Sequence, residues 1–204
     1  MFGSKNKRGD LITGVWAKIY DLGFVLTGLS AIHRRVLRLI ELAPNQSLLD
    51  IGCGTGRVLK ALAAKKIDGV SLAGIDPSPD MLDLAAKDSN LKLKIAYGSD
   101  LPFGNETFDW VISVLVAHHM PVDEKEKMVD ETVRVLKPGG RFLVSDLGRP
   151  EGFFSRLLAA VSNHSYAKGN MEVMERKINE RGLRLIRRDR SFGYIEYLLY
   201  EKPR

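Results

Sequence analysis

Between Leu48 and Arg57 the chain reads LLDIGCGTGR, a short apolar run followed at once by Gly52, Gly54 and Gly56. An apolar run bounded by polar residues and glycine reads as a buried strand, and GRVLKALAAKK (Gly56 to Lys66) behind it is rich in good helix formers. Glycine lacks a β-carbon. These three positions therefore permit positive φ and let a ligand lie against main-chain atoms at a helix start, where unpaired N–H groups favour an electronegative group. A strand, a glycine-rich turn and a helix predict the first unit of an open α/β sheet, with a ligand crevice beyond the strand's carboxyl end.

The rhythm then repeats. SLAGIDP (Ser71 to Pro77) reads as the second strand, and SPDMLDLAAKD (Ser78 to Asp88) as a helix with Ser78 as cap and Pro79 at its first position. LKLKIAYG (Leu91 to Gly98) reads as the third strand. FDWVISVLV (Phe108 to Val116) is almost wholly apolar, which predicts a central strand covered on both faces. Met128, Val129, Thr132, Val133 and Leu136 form a helical stripe, which KPGG (Lys137 to Gly140) stops before the fifth strand, RFLVSDL (Arg141 to Leu147). Upstream, a helix capped by Ser30 presents Ile32, Val36, Leu39 and Ile40 on one face until Pro44 ends it. Past a helix near Met171 to Arg181, LRLIRRDR and YIEYLLYEK are joined only by SFG (Ser191 to Gly193), which permits an antiparallel hairpin and no crossover. The expected fold is a doubly wound, Rossmann-like α/β domain: a mostly parallel seven-stranded sheet with helices on both faces and a C-terminal antiparallel hairpin. The 204 residues read as one domain, with a helical lid over 1–43, a ligand-binding core over 44–147, and a substrate-covering segment plus the hairpin over 148–204.

Composition removes several classes of function. The single cysteine, Cys53, excludes an internal disulfide, and no Cys/His spacing offers a zinc site, so a metal-free chain of the reducing cytoplasm is expected. The formal charge of +6 would suit a polyanionic partner. It is scattered over KNKR (Lys5 to Arg8), HRRVLR (His33 to Arg38) and RGLRLIRRDR (Arg181 to Arg190), and the last alternates with apolar residues as a half-exposed strand would. Solvated faces are the expected reading. The apolar stretch Leu11 to Ile32 is broken by Lys18 and Asp21, so it reads as a lid rather than a signal or membrane span.

Spacing separates the candidate ligands. A dinucleotide fingerprint is G-x-G-x-x-G, whereas here the third glycine comes one residue early and Arg57 stands in its place. Asp50, just before the turn, would repel a diphosphate and attract an ammonium. Four motifs in this order, LLDIGCGTGR, GIDPSPDML (Gly74 to Leu82), GSDLPFGNETFDWVIS (Gly98 to Ser113) and LKPGGRFLVSD (Leu136 to Asp146), resemble the class I S-adenosylmethionine-dependent methyltransferases. The subset that includes the ubiquinone and menaquinone biosynthesis enzymes is the most similar, through YD (Tyr20, Asp21) and AHHMP (Ala117 to Pro121). The resemblance implies S-adenosylmethionine as cofactor and S-adenosylhomocysteine as product. It implies that Asp76 accepts from both ribose hydroxyls, that Asp100 accepts from the adenine amino group while the backbone of Leu101 reads the ring, and that Tyr20 closes over the ligand. Asp50, Gly52, Cys53, Gly54 and Gly56 of the turn, Pro77 and Met81 of the second motif, and Ser99 and Ser113 of the third complete the implied cofactor site.

Methyl transfer from a sulfonium is an in-line displacement that gains most from alignment and exclusion of water, and needs a base only when the acceptor must lose a proton. His118 and His119 follow the central strand and are the candidates for that base or for a substrate contact; packing against loop carbonyls is the alternative for either. After this strand the chain reads LVAHHMP, without the [N/D]-P-P-[Y/F/W] of nucleobase amino-methylating enzymes, the cysteine of cytosine C5 methylation, or the paired glutamates of arginine methyltransferases. A small, lipophilic acceptor is the expected substrate class. GFFSRLLAAVS (Gly152 to Ser162) could cover such an acceptor, pack as a core stripe, or dock at a membrane surface. An RNA methyltransferase and a non-catalytic cofactor-binding or partner-binding module stand as alternatives, and a nicotinamide oxidoreductase is disfavoured by the glycine spacing. The acceptor atom and oligomeric state are left open.

Overall fold

A computed structural model describes residues 4–6, 8–11, 29–87, 91–150 and 169–204. In chain order the elements are β1 (Ser4–Asn6), β2 (Gly9–Leu11), α1 (Leu29–Leu39), β3 (Ser47–Ile51), α2 (Arg57–Ala63), β4 (Ser71–Asp76), α3 (Pro79–Ala86), β5 (Lys92–Ile95), β6 (Phe108–Val114), α4 (Val122–Val135), β7 (Leu136–Leu147), α5 (Asn170–Glu180), β8 (Arg184–Ser191) and β9 (Ile195–Glu201). Seven strands form one sheet of order β5-β4-β3-β6-β7-β9-β8. β3 to β7 run parallel, and β9 is antiparallel to both β7 and β8. This is the doubly wound sheet with a terminal hairpin that the sequence implies.

Side-chain alternation along the central strands explains why they are apolar throughout. Leu48, Trp110, Ile112 and Leu143 face one layer, built with Ile32 and Val36 of α1 and Leu59 of α2. Their neighbours Leu49, Val111, Phe142 and Val144 face the other, built with Met128 and Val129 of α4 and Met174 and Ile178 of α5. A strand with helices on both sides has no solvent face on which to place a polar residue. The winding reverses between β3 and β6, because the chain runs outward from β3 through β4 to β5 and then returns to β6 on the far side. Ligand crevices form beyond the carboxyl ends of strands at such a reversal.

Some boundaries differ from the expectation. KPGG does not separate helix from strand: α4 ends at Val135, β7 starts at Leu136, and Lys137 to Gly140 form an irregular opening of that strand. Gly139 there has φ +76°, and the pairing with β6 jumps from Phe108↔Leu136 to Trp110↔Arg141, so the loop signal marks an irregular bulge of three extra residues on β7 that the positive φ accommodates. Leu136, placed on the helical stripe above, is thus a buried strand residue. Helix α1 already includes Leu29, which puts Ser30 inside its first turn rather than at the cap. Ser78 does cap α3, accepting from the Met81 N–H at 3.4 Å. Near the N-terminus, β1 and β2 pair as an antiparallel hairpin where a helical lid was expected. Tyr20 and the Gly152 to Ser162 stretch lie outside the described residues. Among the described residues no helix is long and apolar enough to cross a membrane, and no His/Cys/Asp/Glu group could hold a metal ion.

At the amino ends of the strands, Asp109 ties three of them together. Its Oδ2 accepts from the Ser47 N–H, the Ser47 hydroxyl and Lys137 Nζ, each at 2.8 Å. Partial burial works against the charge, but the Lys137 and Ser47 hydrogen bonds outweigh it and hold the carboxyl below its usual range. A lowered carboxyl stabilises the fold above its unfolded-state value and loses that contribution as pH falls through the folded-state value. Asp109→Asn is therefore expected to lower stability at neutral pH by about 1–2 kcal/mol, measured by urea denaturation, with the difference from wild type closing as pH falls below the ordinary carboxylate range.

Candidate active site

The turn after β3 is built on backbone conformations that side chains resist. Gly52, Gly54 and Gly56 have φ of +70°, +52° and +74°. The N–H groups of Gly52 and Cys53 both donate to the Ile75 carbonyl, at 2.8 and 2.9 Å, which sews the turn to the end of β4. Asp76 completes the seam: its Oδ2 accepts from the Gly54 N–H and its Oδ1 from the Ser78 N–H, each at 2.9 Å. The glycines differ in what surrounds them. A β-carbon on Gly52 would stand 2.5 Å from Val116, and one on Gly56 would stand 3.1 Å from Ala85 of α3, whereas one on Gly54 would meet nothing within 4 Å. Gly54 alone faces open space.

That space is a crevice of two neighbouring parts. The larger, about 120 Å³, is walled by Gly52, Gly54, Asp76, Pro77 and Met81 together with Val114, Leu115, Val116, His119 and Met120. The smaller, about 40 Å³, is walled by His33, Asp50, Cys53, Thr55, Arg57 and Val58, and shares Gly52, Gly54 and Val114 with the larger. Burial pushes the Asp50 carboxyl well up, and the nearby Asp76 charge adds to the effect. Asp76 is also raised by burial, against the pull of its two backbone donors. Two buried carboxylates under one turn make the crevice hostile to a diphosphate and receptive to a cation or to hydroxyl donors. Cys53 packs beneath the turn, where burial raises its thiol and a β-carbon on Gly74 would lie 2.8 Å from its sulfur. It is a filler for the gap that Gly74 leaves.

The candidates from the third motif are arranged differently. Ala96, Tyr97 and Gly98 form the cleft wall on that side, while Ser99, Asp100 and Leu101 do not line it. The Ser99 hydroxyl donates to Glu124, the Leu101 N–H donates to Glu131 at 2.8 Å, and Asp100 is exposed. The cause lies in α4: Arg134, paired with Glu131, also donates to the carbonyls of Leu101 and Phe103, at 3.1 and 2.8 Å, and draws this loop onto the helix. Ser113 is wholly buried within the sheet, its hydroxyl without a hydrogen-bond partner. The histidines divide as well. His119 lines the larger part of the crevice, whereas His118 is buried and its Nδ1 lies 2.7 Å from Asp146 Oδ1.

Among the wall residues that the sequence reading did not assign, three come from elements distant in the chain. Arg8 and Gly9 reach the cleft from the N-terminal hairpin, with the Arg8 guanidinium 4.9 Å from the centre of the Tyr97 ring. Gly9 approaches so closely that a β-carbon there would stand 2.7 Å from the His119 carbonyl. His33, on α1, faces the Asp50 side. No local pattern marks any of them, since each arrives from an element far away in sequence. Tyr97, in contrast, sits next to the quoted motif at Gly98, and its aromatic face was a readable signal.

A parallel sheet reversed at β3/β6, a Gly-x-Gly-x-Gly turn and an acid closing β4 together define the class I methyltransferase architecture. The methyltransferase domain family matches residues 49–144. The chain is 32% identical over 126 residues to the ubiquinone/menaquinone biosynthesis C-methyltransferase UbiE of Geotalea daltonii, a match covering 58% of this chain and 52% of that one. To the phosphoethanolamine N-methyltransferase of Triticum aestivum it is 27% identical over 199 residues, 93% of this chain and 39% of that one. It thus spans about half or less of the length of these two relatives. Among solved structures, a chain from the complex of the Haloferax volcanii Trm112 methyltransferase activator with a methyltransferase superposes with a TM-score of 0.70 at 19% identity, covering 93% of this chain and 97% of that one. These findings support a class I S-adenosylmethionine-dependent methyltransferase, its domain matched over residues 49–144.

The residues present fit that family's cofactor, because the bare backbone at Gly54 opens onto the crevice and both carboxylates stand beside it. Gly54→Ala is expected to reduce S-adenosylmethionine affinity by about tenfold or more in isothermal titration, since the new methyl group enters the crevice. Fold stability should fall by only about 1–2 kcal/mol, the strain of a side chain at positive φ. Unchanged affinity would remove Gly54 from the site.

Proposed function

We propose that this chain transfers a methyl group from S-adenosylmethionine to a small, lipophilic acceptor that gives up a proton, with His119 receiving that proton. The observation that carries the reading is a pair of neighbouring cavities sharing Gly52, Gly54 and Val114, one lined by Asp76 and His119 and the other by Asp50. Asp50 would hold the ammonium of the cofactor's amino-acid tail and Asp76 its ribose hydroxyls, each carboxylate oxygen of Asp76 having a lone pair left beside its backbone donor. Gly52 and Gly54 let the ligand lie against main chain. The base would rest along Ala96 to Gly98, with Asp100 and Leu101 at the outer rim. When bound, the cofactor supplies an electrophilic methyl carbon on a sulfonium: the acceptor's lone pair forms the new bond, the carbon–sulfur pair stays on sulfur, and a neutral thioether leaves.

Ile51, Met81, Ala96, Val114, Leu115, Val116 and Met120 give the larger part of the crevice an apolar lining, which excludes water and suits an apolar acceptor body. Arg8, Tyr97 and His119 are polar points of the same lining besides Asp76. The quinone and phosphoethanolamine relatives differ in acceptor, and the apolar lining supports an acceptor nearer the first. The RNA alternative draws no support from the basic C-terminal run: Arg184 pairs with Glu201, Arg188 with Glu175 and Glu196, and Arg190 with Glu196. Those charges are spent within the fold.

The test is calorimetric binding of S-adenosylmethionine, followed by release of S-adenosylhomocysteine with a demethylmenaquinol analogue, a catechol, a sterol and phosphoethanolamine as acceptors. Binding with turnover of an apolar acceptor is expected. Binding with no turnover on any of them would favour the non-catalytic module, and absence of binding would end the reading. On the acceptor that turns over, His119→Ala is expected to lower kcat by about a hundredfold or more while leaving cofactor affinity within about threefold.

A further inference from the structure

Behind the cleft wall lies a charged cluster that the cofactor site does not use. Asp146 at the end of β7 and Lys125 in α4 are 0% and 2% exposed, and His118 against them is 6% exposed. Besides the 2.7 Å contact with His118 Nδ1, Asp146 accepts from the His118 backbone N–H at 3.3 Å and from the Leu147 N–H at 2.7 Å. Burial alone would push the Asp146 carboxyl up; the His118 charge and hydrogen bond, the Leu147 N–H and the His119 charge outweigh it and hold the carboxyl down. An ionised carboxylate only accepts, so Nδ1 of His118 carries the proton of that bond. The His118 ring in turn stacks against His119, with centroids 4.0 Å apart and planes inclined by 42°. The chain of contacts is therefore Asp146, His118, His119, cleft.

We propose that Asp146 is a positioning residue for proton transfer: by holding the Nδ1–H of His118 it fixes the ring on which His119 packs, and so sets the orientation and proton affinity of the imidazole at the cleft wall. The inference rests on the reading of His119 as proton acceptor. It also restricts the substrate to one whose hydroxyl or ammonium proton must leave, since a buried carboxylate behind two imidazoles helps only a reaction in which positive charge arises there.

Among the described residues, the acid that stands opposite the pair is engaged elsewhere. Glu196 on β9 stands opposite Asp146 in register but is bound to Arg188 and Arg190 of β8. Asn170 on α5 is uncharged and donates to the Leu147 carbonyl at 3.3 Å. Lys125 is a cation, its charge disfavoured by burial and supported by Asp146. Arg8 is the cation on the cleft side of His119.

The experiment is NMR of the full chain with 15N-labelled histidine, following the imidazole nitrogens from about pH 5 to 9, for wild type, Asp146→Asn and His118→Asn. Asp146→Asn keeps an oxygen that can accept from His118 and removes the charge; His118→Asn keeps an N–H for Asp146 and removes the stacked ring. Wild type is expected to show His118 protonated at Nδ1. In Asp146→Asn the His119 midpoint should fall by about half a pH unit or more, and in His118→Asn its nitrogen shifts and midpoint should both move. Should Asp146→Asn fail to fold, His118→Asn carries the same test. A folded variant of either kind in which His119 titrates as in wild type, with only the melting temperature changed, would overturn the proposal and leave Asp146 a structural anchor. The readout is the imidazole itself, so failure here is distinguishable from failure of cofactor binding or turnover.

Discussion

The Asp76 carboxylate is the joint on which this site depends. It takes one backbone N–H from the glycine turn after β3 and one from the start of α3, so two successive strand-to-helix junctions become a single rigid rim. Without that joint, a turn with three residues at positive φ would have little to select one conformation, because glycine surrenders more backbone freedom on folding than any other residue. The joint also explains the burial of charge. A carboxylate that receives two N–H donors tolerates a desolvated position, and its remaining lone pairs point where a polyhydroxylated ligand can use them.

Charge is distributed by the same logic at larger scale. The chain is basic overall, yet its crevice holds two carboxylates and its basic C-terminal strand is neutralised by acids on β9 and α5. Exposed pairs of this kind contribute little to stability, but they remove the long-range field that would otherwise gather a polyanion. The electrostatics that matter for a ligand are therefore the buried ones, where screening is weak.

The fold was legible because its signals are local and periodic. Strand β6 announces itself by an unbroken apolar run, α3 by Ser78 and Pro79, and the turn by its glycines, each within a few residues of the element it sets. KPGG misled because a helix stop and a strand bulge use the same residues, and only the pairing of β7 with β6 decides between them. In the site, Asp50 and Asp76 sit at the carboxyl-end halves of the strands that the sequence implies, and His119 follows β6 on the short helical turn beyond it. The loop of Asp100 and Leu101 is held toward α4 by the Glu131–Arg134 pair, and Arg8, Gly9 and His33 reach the cleft from elements with no motif at all. Asp146 was readable as the end of a strand; that it lies against His118 is a consequence of parallel neighbours β6 and β7 ending side by side.

That adjacency lies at the edge of the family match. The family match covers residues 49–144 and so includes the glycine turn, Asp76 and both histidines, while Asp146 lies just beyond it and Arg8 far before it. On the proposed reading the matched core supplies the turn, Asp76, the apolar lining and His119, while the flanks add Arg8 and Gly9 from the N-terminal hairpin and Asp146 behind His118. Substitutions in those flanks would leave the Gly54–Asp76 joint undisturbed, so the surroundings of His119 could vary on a constant sheet.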